Sequence, residues 1–166
     1  MRILGIDPGL NITGYGVLDG YDGRAAVVEA GVIRGGGTEN AMCDRLREIH
    51  TGVSEVIAAL KPFAVAVEEL YSHYEHPKTS ILMGHARGVI LLAAAQAGIP
   101  IMGYNATQIK KTLTGNGRAP KDQMQSAIQR ELRLTSLPEP ADVADALAIA
   151  LCHYHVERIA AFGARR

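Results

Sequence analysis

The chain has 166 residues, of which 48% are hydrophobic and 20% charged, and its formal net charge is zero. This length is enough for a single domain, 1–166, with a sizeable core, and the composition excludes an intrinsically disordered chain. The most apolar stretch, "GVILLAAAQAGIPIMGY", is broken by Gly98 and Pro100, so no membrane span is expected. Two distant cysteines, Cys43 and Cys152, and no secretory leader pattern predict a cytoplasmic protein without a disulfide framework or a zinc site.

The first part of the chain predicts a three-stranded antiparallel meander. Its strands are expected at "RILGID", "TGYGVLD" and "RAAVVEAGVIR", which are joined by short Gly-rich turns. After the loop "RGGGTEN", apolar residues from Met42 to Leu60 recur at helical spacing, and "KP" ends this helix. The run "FAVAVEEL" then predicts a fourth strand, parallel to its neighbour because a helix precedes it.

The rest of the chain alternates helix and strand. A long helix is predicted over 80–96 and a fifth strand at "IMGYN". Shorter helices follow over 106–113 and 121–132, and a last helix runs from 141 to about 162. This order predicts an α/β layer fold, in which ligands bind at the carboxyl ends of neighbouring strands.

Acidic residues stand at the predicted ends of two strands and at the start of the last helix. The first strand ends in Asp7, and the fourth ends in Glu68 and Glu69. Asp142 and Asp145 are three residues apart and share one helix face. Carboxylates gathered in this way repel one another unless a cation neutralises them, and a hard divalent ion such as Mg²⁺ suits that role. Two such ions about 4 Å apart stabilise the attacking and leaving oxygens of phosphodiester hydrolysis.

Each acid also has a purely structural interpretation. Asp7 opens the common turn sequence "DPG". Asp142 is placed to cap the last helix, with Asp145 completing a capping box. The two glutamates fit a solvated strand end, and alternation does not choose between Glu68 and Glu69 because both faces of a central strand are buried. The concurrence of acids in three segments favours the metal site.

Charge is distributed unevenly along the chain. Residues 1–76 contain 6 Lys or Arg and 11 Asp or Glu, whereas residues 77–166 contain 11 and 6. No acid occurs from Pro77 to Lys121. Such a segment indicates a polyanionic ligand, although a buried helix would also be poor in acids.

Four segments together resemble one family. "ILGIDPGLNITGYGVL", "AVAVEELY", "GHARGVIL" and "ADVADALAIALCH" are similar to the RuvC family of Holliday junction resolvases, in family order and over nearly the whole chain. The resemblance implies a ribonuclease H-like fold with sheet order 3-2-1-4-5 and helices on both faces. It also implies a homodimer that nicks two opposed strands of four-way junction DNA, with RuvA and RuvB as branch-migration partners.

The resemblance implies a catalytic and metal-binding set of four carboxylates. They would hold Mg²⁺ or Mn²⁺, with two ions expected per subunit. The family pattern matches the first of the two adjacent glutamates. The set is Asp7, Glu68, Asp142 and Asp145.

DNA contacts are expected from five residues. Lys110 and Lys121 match family lysines and suit phosphate contact or charge stabilisation, with solvated helix lysines as the alternative. Tyr71 matches an aromatic that stacks on an unpaired base, with a half-buried loop aromatic as the alternative. Lys111 and Arg118 belong to the acid-free segment and are expected to contact DNA as well.

Two other functions fit parts of the sequence. "GIDPG" before a Gly-rich turn also suits the phosphate-binding hairpin of an actin-like ATPase or sugar kinase, but that fold needs two such domains and 166 residues are too few. A non-catalytic junction-binding module is the second alternative. It would gain nothing from four converging negative charges beside phosphates. A net charge of zero is unusual for a DNA enzyme, so the acid-free segment is expected to supply the contacts.

Overall fold

A mixed five-stranded sheet with the order β3-β2-β1-β4-β5 lies at the centre of the computed structural model, which describes residues 1–21, 23–70 and 77–163. β1 pairs antiparallel with β2 and β2 with β3, whereas the β1–β4 and β4–β5 pairs are parallel. The predicted sheet order is therefore confirmed. The elements are β1 Arg2–Asp7, β2 Ile12–Tyr21, β3 Arg24–Arg34, α1 Met42–Leu60, β4 Ala64–Glu68, α2 Pro77–Gln96, β5 Ile101–Tyr104, α3 Ala106–Thr114, α4 Lys121–Leu132 and α5 Ala141–Gly163.

Alternation along the central strands sends side chains into two separate cores. Ile3 packs in the core formed with α3, α4 and α5, whereas its neighbour Leu4 packs in the core formed with α1 and α2. Helices thus cover both faces of the sheet, as expected. Asp7 follows Ile3 at even spacing, and Glu68 follows Ala66 of the same core, so both acids end on the face that α5 covers.

α5 lies close against β1 and β2 because glycines leave room for it. A Cβ atom at Gly14 would lie 2.0 Å from the carbonyl oxygen of Asp142, and one at Gly5 would lie 2.2 Å from that of Ala146. Any side chain at either glycine would push the helix away from the sheet. Since Gly14 is the strand partner of Asp7, this packing brings the first turn of α5 beside the end of β1.

The predicted bounds differ from the observed ones for local reasons. The described part of α2 begins at Pro77 rather than at residue 80. β2 runs to Tyr21, past the predicted end at residue 19, because its pairing with β3 continues into the hairpin. β5 ends at Tyr104, because Asn105 caps α3 by accepting a hydrogen bond from Gln108 N at 2.8 Å. The other bounds agree within two residues.

None of the described helices combines the length and the apolar character that crossing a bilayer requires. The two cysteines are both free thiols, Cys43 exposed on α1 and Cys152 buried in α5. Burial raises the pKa of the Cys152 thiol, which keeps it protonated inside the α3–α5 core.

Candidate active site

The carboxyl ends of β1 and β4 lie side by side, and each strand ends in an acid. The parallel register runs to the pair Ile6–Val67, so Asp7 and Glu68 come next on the two strands. The Glu68 carboxyl is close enough to Asp7 to raise the pKa of the Asp7 carboxyl. The adjacency expected for parallel neighbours is therefore present.

The first turn of α5 adds Asp142 and Asp145 to this pair. Both carboxylates act electrostatically on Asp7, and Asp145 acts on Glu68 as well. α5 begins at Ala141, so Asp142 lies inside the first turn and not at the cap position. The four predicted carboxylates thus come together from three segments that are distant in sequence.

Burial and mutual repulsion raise the pKa values of three of these acids. The pKa of Asp7 rises to about 8, first because of burial and then because of Glu68, Asp145 and Asp142. Burial is also the main cause that raises the pKa of Glu68 and the pKa of Asp145. An acidic cluster of this kind gains stability from a cation, which removes both the repulsion and the unfavourable burial of charge.

A cleft of about 290 Å³ adjoins the acids and brings two of the predicted lysines to them. Its lining includes Glu68 and Asp145 together with Lys110 from α3 and Lys121 from α4. Lys110 opposes the rise in the pKa of Glu68, and Lys121 opposes the rise in the pKa of Asp145. A phosphate in this cleft would meet both lysines while it lies against the carboxylate edge.

The other predicted DNA contacts stand outside the cleft lining or outside the described residues. Lys111 is exposed on α3. Arg118 is exposed in the loop between α3 and α4, where its backbone N–H donates to Asn116 Oδ1 at 3.0 Å. Tyr71 lies outside the residues that the structure describes, so its stacking role stays a prediction.

The turn after β1 is closed by Thr13 and not by the side chain of Asp7. Thr13 is fully buried, and its hydroxyl donates to Gly9 O at 2.7 Å, which closes the turn after β1. Asp7 itself is the last paired residue of the strand. Of the two adjacent glutamates, Glu69 is exposed and lies against β5, where a Cβ atom at Gly103 would be 2.6 Å from its Oε1. The structure therefore separates Glu68, in the acidic cluster, from Glu69.

The four acids lie near one another but are not arranged to ligate a single ion. Within residues 1–21, 23–70 and 77–163, no three His, Cys, Asp or Glu side chains stand close enough to ligate one ion without moving. Four carboxylates are nevertheless the hard oxygen donors that fit Mg²⁺ or Mn²⁺.

Three residues that support this site were not predicted from the sequence. Gly14 admits α5, Thr13 closes the turn after Asp7, and Arg87 on α2 donates from Nε to the main-chain oxygen of Glu68 at 3.1 Å. Arg87 lies in "GHARGVIL", one of the segments that carry the resemblance. A cation in an otherwise apolar helix was the signal that could have identified it.

Comparison with known proteins identifies the family. Residues 3–153 match the family model described as crossover junction endodeoxyribonuclease RuvC. The RuvC of Rhodopirellula baltica is 58% identical over 153 residues, which cover 92% of this chain and 85% of that protein. A Thermus thermophilus RuvC structure is 35% identical, with a TM-score of 0.88 over 96% of this chain and 97% of that one. The same protein in complex with Holliday junction substrate gives the same identity and TM-score, over 96% of both chains. These matches confirm the ribonuclease H-like fold, and the chain belongs to the RuvC family of crossover junction endodeoxyribonucleases.

Proposed function

We propose that this chain is a divalent-cation-dependent endonuclease that resolves four-way DNA junctions by cutting two opposed strands. The observation that carries the proposal is the convergence of four carboxylates beside two lysines at the ends of β1 and β4. Membership of the family supports the same activity, since its curated relatives are crossover junction endodeoxyribonucleases. A matching structure at 35% identity is a complex with Holliday junction substrate.

Asp7, Glu68, Asp142 and Asp145 would hold the cations, two Mg²⁺ or Mn²⁺ ions per subunit. When bound, these ions supply Lewis-acid stabilisation of the attacking and leaving oxygens of the phosphodiester. The raised pKa of Asp7 supports this assignment, because a carboxyl that the chain leaves without a counter-charge is completed by a cation from outside.

The lysines of the cleft would bind and orient the phosphate to be cut. Lys110 and Lys121 line the same cleft as Glu68 and Asp145, so both could donate to the non-bridging oxygens of a phosphate bound there. Their charge also offsets the negative charge that develops in the transition state. Lys111, Arg118 and Tyr71 would contact the junction outside the cleft, the two cations at phosphates and the tyrosine at an unpaired base.

A second copy of the chain would bind through the outward face of α2. This face exposes Ile81 at 61% and Leu92 at 49%, and the space beside Gly84 and Gly88 is open. Small residues let two helices approach closely, and a twofold axis would present two equivalent sites to opposed strands. Light scattering should therefore report a dimer for the parent chain and a shift towards monomer for Leu92→Glu.

The activity would reside in one domain, 1–166. This domain would act in the cytoplasm, together with RuvA and RuvB. Free thiols at Cys43 and Cys152 fit a reducing compartment. The two partners rest on the family resemblance alone.

A synthetic four-way junction with labelled strands tests the proposed function. Incubation with Mg²⁺ or Mn²⁺ should produce paired nicks at symmetric positions that ligase can seal, and incubation with EDTA should produce none. A linear duplex of the same sequence is the control and should stay uncut. Junction binding without cleavage in either cation would favour the junction-binding module instead, and ATP binding by the same preparation would favour the actin-like ATPase.

A further inference from the structure

Arg87 reaches the end of β4 from the opposite side of the sheet. α2 packs with α1 on the face that α5 does not cover. From there the half-buried Arg87 side chain donates its Nε–H to the carbonyl oxygen of Glu68 at 3.1 Å. No carboxylate of the described residues forms an ion pair with Arg87. The guanidinium of Arg87 therefore contacts the main chain of an acid in the site.

The Glu68 carbonyl lacks a donor from the sheet because of Pro8. The carbonyl of Glu68 and the N–H of Glu69 belong to one trans peptide group and point in opposite directions, and this N–H donates to the carbonyl oxygen of Tyr104 on β5 at 2.9 Å. The carbonyl of Glu68 therefore points towards β1. Extension of the parallel register places residue 8 opposite it as the donor, and proline has no N–H.

We propose that Arg87 is a positioning residue, which replaces the missing N–H of Pro8 and so holds the Glu68 side chain towards Asp7. The inference rests on the proposed function, in which Glu68 is a metal ligand. A carbonyl without a donor at a strand end would let the last residue of β4 turn, and its carboxylate would turn with it. A hydrogen bond from a charged donor resists this better than one from a neutral donor.

Mn²⁺ binding to the DNA-free protein, measured by calorimetry, tests the role of Arg87. Arg87→Met removes the donor, and we expect the affinity for Mn²⁺ to fall by about tenfold, as for other residues that orient a metal ligand. Arg87→Lys keeps a donor and should recover most of the loss. Arg130→Met, at an exposed arginine of α4, is the matched control and should bind Mn²⁺ like the parent. Unchanged Mn²⁺ affinity in Arg87→Met together with weaker junction binding in EDTA would overturn the proposal and make Arg87 a DNA contact.

Pro8→Ala supplies a second test, because a general loss of folding would not make Arg87→Met less harmful to Mn²⁺ affinity in this background. Alanine restores an N–H at residue 8, so Arg87→Met should cost less than about threefold in Mn²⁺ affinity in this background, because interacting positions are not additive. Equal losses with and without Pro8→Ala would overturn the proposal. Since no DNA is cut in this experiment, a chain that failed to cleave junctions would refute the proposed function and leave this test valid.

Discussion

The two ends of the central sheet carry charge in opposite ways. At the end where β1 begins, Arg2 and Asp19 are strand partners, and their side chains pair with Nη2 and Oδ2 2.7 Å apart. At the end where β1 finishes, Asp7 is influenced by other acids, and lysines from α3 and α4 line the adjoining cleft. The charges of Arg2 and Asp19 neutralise each other, whereas the acids around Asp7 need a cation that the chain does not supply.

The pKa values report this difference. The hydrogen bond from Arg2 lowers the pKa of Asp19, whereas burial and neighbouring acids raise the pKa of Asp7 to about 8. An acid that the chain pairs adds to stability, and an acid that it leaves buried and unpaired reduces stability. Acids of the second kind point to a functional site, because only a ligand compensates for them.

The largest expected effect is the loss of cleavage in Asp7→Asn. The change removes a ligand charge and leaves the shape of the site intact, so the single-turnover rate should fall by at least about a thousandfold, which corresponds to about 4 kcal/mol. Gel-shift assays in EDTA should show the junction affinity of the parent. Asp19→Asn, at the opposite end of the sheet, is the matched control and should cut normally. Loss of junction binding in Asp7→Asn would mean that Asp7 is not a metal ligand.

Lys110→Met and Lys121→Met should have the next largest effect. Each change removes one donor to the phosphate beside the acids, so the cleavage rate at saturating protein should fall by about 10–100-fold. Arg130→Met removes an exposed cation of α4 and serves as the control. A change in junction affinity with no change in the saturated rate would place these lysines on the flanking DNA rather than at the cut phosphate.

A smaller effect is expected on the stability of the metal-free protein. Because the folded-state pKa of Asp7 is about 8, above its ordinary 3.8, the folded chain holds this proton more tightly than the unfolded chain. The unfolding free energy should therefore fall as the pH rises from about 4 to about 8. At the upper end, Asp7→Asn should be more stable than the parent by a few kcal/mol, because the amide carries no charge to bury and one pKa unit corresponds to about 1.4 kcal/mol. Thermal melts in EDTA measure this, and equal melting temperatures there would contradict it.

The smallest effect is expected from Asp19→Asn. The pKa of Asp19 is lowered by Arg2, so the stability from this pair is present at neutral pH and disappears as the pH falls through the folded-state pKa. The melting temperature should drop slightly at neutral pH, and the difference should vanish in about 1 M salt. A large drop that persists in salt would show that this end of the sheet is more than a surface ion pair.

Local patterns in the sequence were enough to predict most of the fold. The period of two in "RILGID" and the helical spacing from Met42 to Leu60 both come from residues that are close along the chain. Boundaries were less accurate where a partner from another element sets them. β2 extends because β3 pairs with it, and the last residue of β5 is set by Asn105, which caps the next helix.

The acidic cluster was predictable because each acid stands at the end of a periodic segment, and parallel strands bring such ends together. The residues alone could not decide between Glu68 and Glu69, since both faces of β4 are buried; the family pattern favoured Glu68, and the side of the sheet that α5 covers agrees with it. Only the tertiary structure revealed that Arg87 donates where Pro8 has no N–H. That contact joins residues far apart in the sequence, and no local period records it.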